Sequence, residues 1–295
     1  MEPRLFCFGL GYSALVLARR LLTEGWTVAG TAREPERVAQ LAGFGVEAFR
    51  FDRDHPLPAE ALRGATHLLS SVPPDITGDP VLDACTPAIV AAGPALRWIG
   101  YLSTTGVYGD YRGAWVDEGS PLRPSVDRAW RRVAAETGWL DLQRRHGLPV
   151  QVFRLAGIYG PGRSAIDDVK NGTAQRVVKR GQVFSRIHVE DVAVVLRASM
   201  ERPNPGAIYN VCDDEAARPQ DVVAYACQLL GAVPPPEVPF EQAKLSPMAQ
   251  TFWVDNKRVR NERIKHELGV VLQYPTYREG LGAIFHHEGH GERGE

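Results

Sequence analysis

The 295-residue sequence predicts an α/β fold: a doubly wound parallel sheet covered by helices on both faces, followed by a smaller C-terminal lobe. Three observations predict it. Short apolar runs alternate with helical patterns from Leu5 to Leu155. The first connection is glycine-rich and opens directly into a helix. Beyond Gly160 the texture changes, with PGRSAIDDVKNG and VPPPEVP breaking the alternation.

Residues 5–8 form the first strand, and Gly9-Leu10-Gly11-Tyr12-Ser13-Ala14 follows as G-x-G-x-x-A at a strand-to-helix turn. Gly9 permits the tight turn, Gly11 lets backbone approach a pyrophosphate, and small Ala14 lets the helix pack on the sheet. Tyr12 and Ser13 open that helix, so their N–H groups face the phosphates. Ala14, Leu15, Leu17, Ala18, Leu21 and Leu22 form its apolar face, and Gly25 stops it. The stretch also imitates an export signal, because Arg4 precedes an apolar run. That run ends in Arg19-Arg20 without a small-residue cleavage site and contains two helix-breaking glycines, which favours the phosphate cradle.

Residues 26–32 form the second strand. About 20 residues past the glycines, an acidic side chain would hold the ribose 2′-hydroxyl of NAD. Thr31 and Arg33 stand there instead, and a guanidinium suits a 2′-phosphate, so NADP(H) is expected in preference to NAD(H). Glu34 and Glu36 compete for that guanidinium. Residues 46–51, ending at Asp52, are a third strand, and residues 66–72 a fourth. A helix over 81–92, a strand over 97–103, a helix over 129–145 and a strand over 150–155 complete the alternation. Ligands of such sheets bind beyond the carboxyl ends of the strands. That rule nominates Gly9, Arg33, Asp52, Ser71, Val72, Pro73, Ser103, Thr104, Thr105, Ala156 and Gly157.

Residues 189–202 read as a helix returning to the main sheet. The expected organisation is therefore a nucleotide-binding domain over 1–160 with 187–202, a smaller lobe over 161–186 and 203–280, and a disordered tail over 281–295. The tail sequence HHEGHGERGE reads as solvated rather than metal-binding, and no metal site is expected. A net charge of −1 and a pI near 6.7 argue against a nucleic-acid surface or a membrane patch. No apolar run approaches the ~18 residues that span a bilayer. Cys7, Cys85, Cys212 and Cys227 are isolated and read as reduced core residues, which predicts a cytoplasmic setting.

Four further motifs stand in order: LSTTGVYGD from Leu102, GIYGPGR over 157–163, RIHVEDVA over 186–193 and LQYPTYREGL from Leu272. Together they resemble the extended short-chain dehydrogenase/reductase superfamily, specifically its NAD-dependent epimerase/dehydratase group, over nearly the whole chain. The resemblance implies a Rossmann lobe binding NAD(P) and a C-terminal substrate lobe. It implies Asp52 beside the adenine, Val72 and Pro73 on the adenosine ribose side, and Ala156, Gly157 and Ile158 on the nicotinamide side.

It also implies catalytic positions. Thr104 takes the place of the Ser/Thr that polarises the substrate oxygen. The family's Tyr-x-x-x-Lys pair supplies a proton-shuttling phenol and a lysine that lowers its pKa and holds the ribose. Aligning the family's K-x-x-x-E with RVAAE puts the lysine on Arg132 and the tyrosine on Arg128. A guanidinium keeps its proton, so Arg128 cannot shuttle one, while Arg132 can still hold ribose hydroxyls or a phosphate. A solvated helix face is the other reading of both arginines. Tyr108, Tyr111 and Tyr159 lie in motif loops and are chemically suited to replace the phenol, with Tyr108 taken into the catalytic set.

The Asp-Glu pair of the family's sugar dehydratases is absent, since Thr105-Gly106 follow Thr104. The diphosphate-gripping arginine of its epimerases falls on Phe184, two residues from Arg186, and His188 reads as structural. The chain is thus identified as an atypical member, with two functions in view. One is an NADP(H)-preferring oxidoreductase or epimerase-like enzyme acting on a small molecule. The other is a catalytically inactive dinucleotide-binding sensor or scaffold. A homodimer is left open.

Overall fold

The computed structural model describes residues 2–291. Strand β1 (Arg4–Phe8) leads through α1 (Tyr12–Thr23) to β2 (Thr27–Ala32), α2 (Pro35–Gly43), β3 (Glu47–Arg50) and β4 (His67–Ser70). Next come α3 (Pro80–Ala92), β5 (Trp98–Thr104), β6 (Trp115–Val116), α4 (Asp127–His146) and β7 (Val150–Leu155). The rest comprises β8 (Gly157–Tyr159), α5 (Ala165–Lys170), β9 (Arg176–Val178), β10 (Arg186–His188), α6 (Val189–Glu201), β11 (Ile208–Val211), α7 (Pro219–Leu230), β12 (Glu237–Pro239), α8 (Pro247–Phe252), β13 (Arg258–Val259), α9 (Glu262–Leu268) and α10 (Tyr277–Gly291).

Seven strands form one sheet in the order β11-β7-β5-β4-β1-β2-β3, and every neighbouring pair is parallel. Alternate residues of β1 point to opposite faces. Leu5 and Cys7 enter the core under α1 and α6, while Phe6 and Phe8 enter the core under α3 and α4. The strand order reverses between β1 and β4, which opens a crevice at the carboxyl edge. Phe8 pairs with Ser70, Ser70 with Tyr101, and Thr104 with Leu155, so the loops after β1, β4, β5 and β7 rise from one edge.

The helices form where sequence and burial agree. On α1, Ser13, Ala14, Leu17, Ala18 and Leu21 are buried, and each buried leucine contributes roughly 1.5–3 kcal/mol. Asp79 caps α3 by accepting from the N–H groups of Val81 and Leu82 at 2.9 and 3.2 Å, and Pro80 sits at the first helical position. Helix α4 carries Asp127 in its first turn, has Arg144, Arg145 and His146 in its last, and ends on left-handed Gly147.

Two expectations are corrected. The segment 203–280 is not wholly part of the smaller lobe, because β11 within it is the seventh strand of the main sheet, paired to β7 from Ile208 to Val211. Four residues are too short to read as a strand alone; the open edge of β7 completes them. Nor is the tail disordered from residue 281, since α10 runs to Gly291 and buries Leu281 and Ile284 against the smaller lobe. Residues 292–295, the end of the HHEGHGERGE sequence, lie outside the described residues. All four cysteines are buried and unpaired.

Candidate dinucleotide site and catalytic edge

The glycine turn is fixed by side chains from both neighbouring strands. Gly9 has φ +78°, which glycine adopts without strain. Its N–H donates to Thr31 Oγ1 at 2.9 Å, and the Ser71 hydroxyl donates to its carbonyl. A Cβ on Gly9 would stand 3.1 Å from both Ser71 Oγ and Val72 Cγ2. Gly11 differs: a Cβ there would meet no atom within 4 Å. It caps α1 without any side chain accepting from the first turn, which leaves the N–H groups of Tyr12, Ser13 and Ala14 without a capping side chain. Those groups and the helix dipole fit a pyrophosphate. Tyr12 also reaches across the crevice, donating to the Pro161 carbonyl at 3.1 Å, which ties the cradle to the loop after β8.

At the adenosine end, Arg33 is exposed, and no ion pair joins it to Glu34 or Glu36. Arg50 Nε donates to the Arg33 carbonyl at 3.1 Å and lies 3.7 Å from Asp52 Oδ2, while Arg37 NH2 donates to the Leu10 carbonyl at 3.5 Å, so two guanidinium groups are held on backbone near the end of β2. Asp52 turns into its own loop instead. Its Oδ1 accepts from His55 Nδ1 at 2.7 Å and from two backbone N–H groups, and the His55 hydrogen bond lowers its pKa. Ser71 is spent on Gly9, Val72 packs beside that turn, and Pro73 is exposed.

At the other end, Thr104 Oγ1 accepts from the Gly106 N–H at 3.1 Å and caps the single 3-10 turn that runs to Tyr108. Thr104 itself is half-buried. Ala156 N–H bonds the Val211 carbonyl and Gly157 N–H the Ser185 carbonyl, at 3.0 and 3.1 Å, with half-buried Ile158 beside them. The first turns of α4 then depart from the family pattern. Arg132 NH1 donates to the Leu102 carbonyl at 2.7 Å and the Tyr101 hydroxyl at 3.1 Å, which staples α4 to β5. Arg128 swings toward the smaller lobe, its guanidinium 3.9 Å from the ring centre of Phe252 and 3.8 Å from Met248 Sδ.

Beneath this edge lies a buried polar network that sequence reading did not find. Arg154, on β7, and Glu136, on α4, form a bidentate pair with contacts of 2.7 and 3.0 Å, and their side chains are 3% and 4% exposed. Ser103 donates to Glu136 at 2.6 Å. Arg154 NH1 donates to the Tyr108 hydroxyl at 3.0 Å, and that hydroxyl donates to Asn210 Oδ1 at 2.7 Å. Burial opposes charge on Arg154, but Glu136 holds it strongly protonated. Opposite charges inside the apolar runs VQVFRL and RVAAE are the sequence signal that marks the pair.

This network corrects the expectation for Tyr108, which is fully buried and not in the crevice. Burial pushes its phenol up to about 12 against the pull of Arg154, the wrong direction for a proton shuttle. The other two phenols are also committed. Tyr111 donates to the Pro121 carbonyl at 2.6 Å, and Tyr159 points to the Thr276 carbonyl at 3.4 Å with its pKa raised by burial. His188 caps α6 by accepting from the Glu190 N–H, and Arg186 donates to the Phe184 and Ala217 carbonyls inside the smaller lobe. Among the described residues no group of three His, Cys, Asp or Glu side chains could hold a metal ion, and no helix is long and apolar enough to cross a membrane.

Comparison with known proteins agrees with this geometry. The family model described as the NAD dependent epimerase/dehydratase family matches residues 80–212. Protein YeeZ of Escherichia coli K12 is 30% identical over 281 residues, covering 90% of this chain and 94% of YeeZ. A conserved protein of unknown function from Silicibacter pomeroyi DSS has a solved structure that superposes with a TM-score of 0.89. It is 52% identical and covers 97% of this chain and 99% of its own. The dTDP-glucose 4,6-dehydratase of Bacillus anthracis str. Ames, solved in complex with NAD, shares the fold with a TM-score of 0.76 at 17% identity, over 99% of this chain and 98% of that one. The open helix start above Gly11, the parallel sheet that places it and these relatives together lead to one conclusion: the chain belongs to the NAD-dependent epimerase/dehydratase family.

Proposed function

We propose that the protein binds NADP(H) in preference to NAD(H) and uses it for a redox step on a small molecule. One observation carries the reading. Where a carboxylate would hold an unphosphorylated ribose, the exposed Arg33 follows β2, with Arg50 held on its backbone carbonyl. A 2′-phosphate is a dianion that such groups bind with charge-assisted hydrogen bonds. The α1 start would hold the pyrophosphate, and Ala156, Gly157 and Ile158 would flank the nicotinamide, whose contribution when bound is a hydride. Thr104, at the head of its 3-10 turn, would donate its hydroxyl hydrogen to a substrate oxygen and so stabilise charge developing there.

The test is a thermal-shift panel. A ligand that binds only the folded state raises apparent stability. NADPH should raise the melting temperature more than NADH at equal concentration, and Arg33→Ala should remove the difference. Equal shifts would remove the NADP(H) preference, and no shift with either would remove the dinucleotide reading. A sensor without catalysis is the second reading, favoured by Arg128, which stands where a proton shuttle would be and is held on Phe252. NADPH-dependent reduction of aldehydes or ketones by the wild type would exclude it.

A further inference from the structure

Four groups from three separate segments gather near Arg128 at the start of α4: Gly109, Ser125, and Asp255 with Lys257. Lys257, just before β13, places its ammonium 2.9 Å from the Gly109 carbonyl and 3.5 Å from Asp255 Oδ2. Asp255 accepts through its other oxygen from the Ser125 hydroxyl at 2.5 Å. Gly109 closes the same 3-10 turn that Thr104 opens, so Lys257 grips one end of the turn whose other end carries the oxygen-binding hydroxyl. The Lys257 side chain is 11% exposed, and two of its three N–H donors are engaged, which leaves one directed elsewhere.

We propose that Lys257, oriented by Asp255, is the group that delivers the proton Arg128 cannot. The proposal rests on the oxidoreductase reading above. In the step, a carbonyl carbon gains the electron pair of a hydride from the reduced dinucleotide, and the resulting oxyanion takes a proton from Lys257 Nζ. One N–H bond breaks and one O–H bond forms. The carbonyl is reduced to an alcohol, the dinucleotide is oxidised, and Lys257 is left a neutral amine that solvent reprotonates. Asp255 stays a carboxylate throughout. The electrostatics agree with this use. Burial lowers the Lys257 pKa and the Arg128 guanidinium lowers it further, while Asp255 on its own segment and Asp110 from the loop after Tyr108 oppose them. A lysine whose pKa is lowered gives up its proton more readily than a lysine in water, and a guanidinium keeps its own.

The chain has only five lysines, so each can be followed separately. Competitive acylation of the full-length protein across pH, read by mass spectrometry, should give Lys257 a midpoint below that of a lysine in an unfolded reference peptide. Asp255→Asn should lower that midpoint further and Arg128→Leu should raise it. With NADPH and a panel of aldehydes and ketones, wild-type turnover should fall as pH rises through the Lys257 midpoint. Lys257→Met and Lys257→Arg should both lose about 100-fold or more, with the NADPH thermal shift unchanged. The arginine variant keeps the charge but not the exchangeable proton, so its activity would show that Lys257 merely positions the turn, and the proposal would fall. A Lys257 midpoint no lower than that of the reference-peptide lysine, alongside active wild type, would overturn the proposal alone. A wild type that binds NADPH but reduces none of the carbonyls would overturn the oxidoreductase reading and the proposal with it.

Discussion

The turn over residues 9–11 and the start of α4 at Arg128 and Arg132 serve one crevice, yet they respond differently to sequence change. The turn presents backbone: a left-handed Gly9, Gly11 and a row of N–H groups that no side chain caps. Its identity depends on two missing side chains, and it is complete in this chain. The α4 start works through side chains, and Arg128 and Arg132, at the positions where the family resemblance implies a Tyr and a Lys, make contacts of their own. Arg132 becomes a staple to β5 and Arg128 a bridge to Phe252. A backbone site survives drift at every position except its glycines, whereas a side-chain site can be reassigned by two substitutions on an unchanged helix.

The comparison can be broken most forcefully beneath α4. Glu136→Gln leaves the Arg154 charge buried and uncompensated and should cost about 3–5 kcal/mol in urea unfolding. Glu136→Leu combined with Arg154→Met should recover most of that loss, because removing both charges removes the desolvation penalty with them. A single-variant cost below ~1 kcal/mol would mean that the pair does not hold this end together.

A pH titration probes both ends of the strands at once. His67 and His188 are lowered to about 4 by burial, with Arg97 and Arg197 adding to the effect at His67. Below the unfolded pKa near 6.5 the unfolded chain binds these two protons and the folded chain does not. Stability should therefore be intact above that pH and fall as pH drops from about 6.5 to 4, on the order of 1–2 kcal/mol per histidine at about pH 5. At His188 a hydrogen bond accompanies the burial: Nδ1 accepts from the Glu190 N–H and so is unprotonated in the folded chain. Replacing both histidines with Gln should flatten this part of the profile.

The two glycines sharpen the contrast within the cradle. Gly9→Ala should cost about 1–2 kcal/mol, because φ +78° strains an L side chain and the new methyl crowds Ser71 and Val72. Gly11→Ala should change stability by less than ~0.5 kcal/mol, since its methyl meets nothing, yet abolish stabilisation by NADPH. The smallest effect is expected at Arg33→Ala: about a tenfold loss of NADPH affinity by calorimetry, no change with NADH, and unchanged folding stability.

Much of this was legible in the chain. The strand-helix-strand unit around Gly9 and Gly11, the helices near 81–92 and 129–145, and the strands over 97–103 and 150–155 match the structure within a few residues. They are long or strongly patterned, so local periodicity suffices to find them. Strand β11 was missed because four residues carry no period of their own, and the helical end of the chain because its apolar residues acquire meaning only against α7 and α5. At the site, Arg33 stood out through what it replaced. Arg50 and Arg37 did not, since their approach depends on how β3 and α2 pack beside β2.

The sequence by itself determined six strands of the sheet, the glycine turn of the cradle and the presence of arginines at positions 128 and 132, because each is written in neighbouring residues or at a fixed spacing. Only the tertiary structure decided which groups occupy the catalytic edge. Tyr108 was removed from the crevice by Arg154 and Asn210, Arg128 was drawn to Phe252, and Lys257 was brought 148 positions along the chain to Gly109. Such contacts join segments whose separation in sequence carries no information about their separation in space. Folding places them, through the pairing of β6 with β13 and the burial of charges that must find partners away from water.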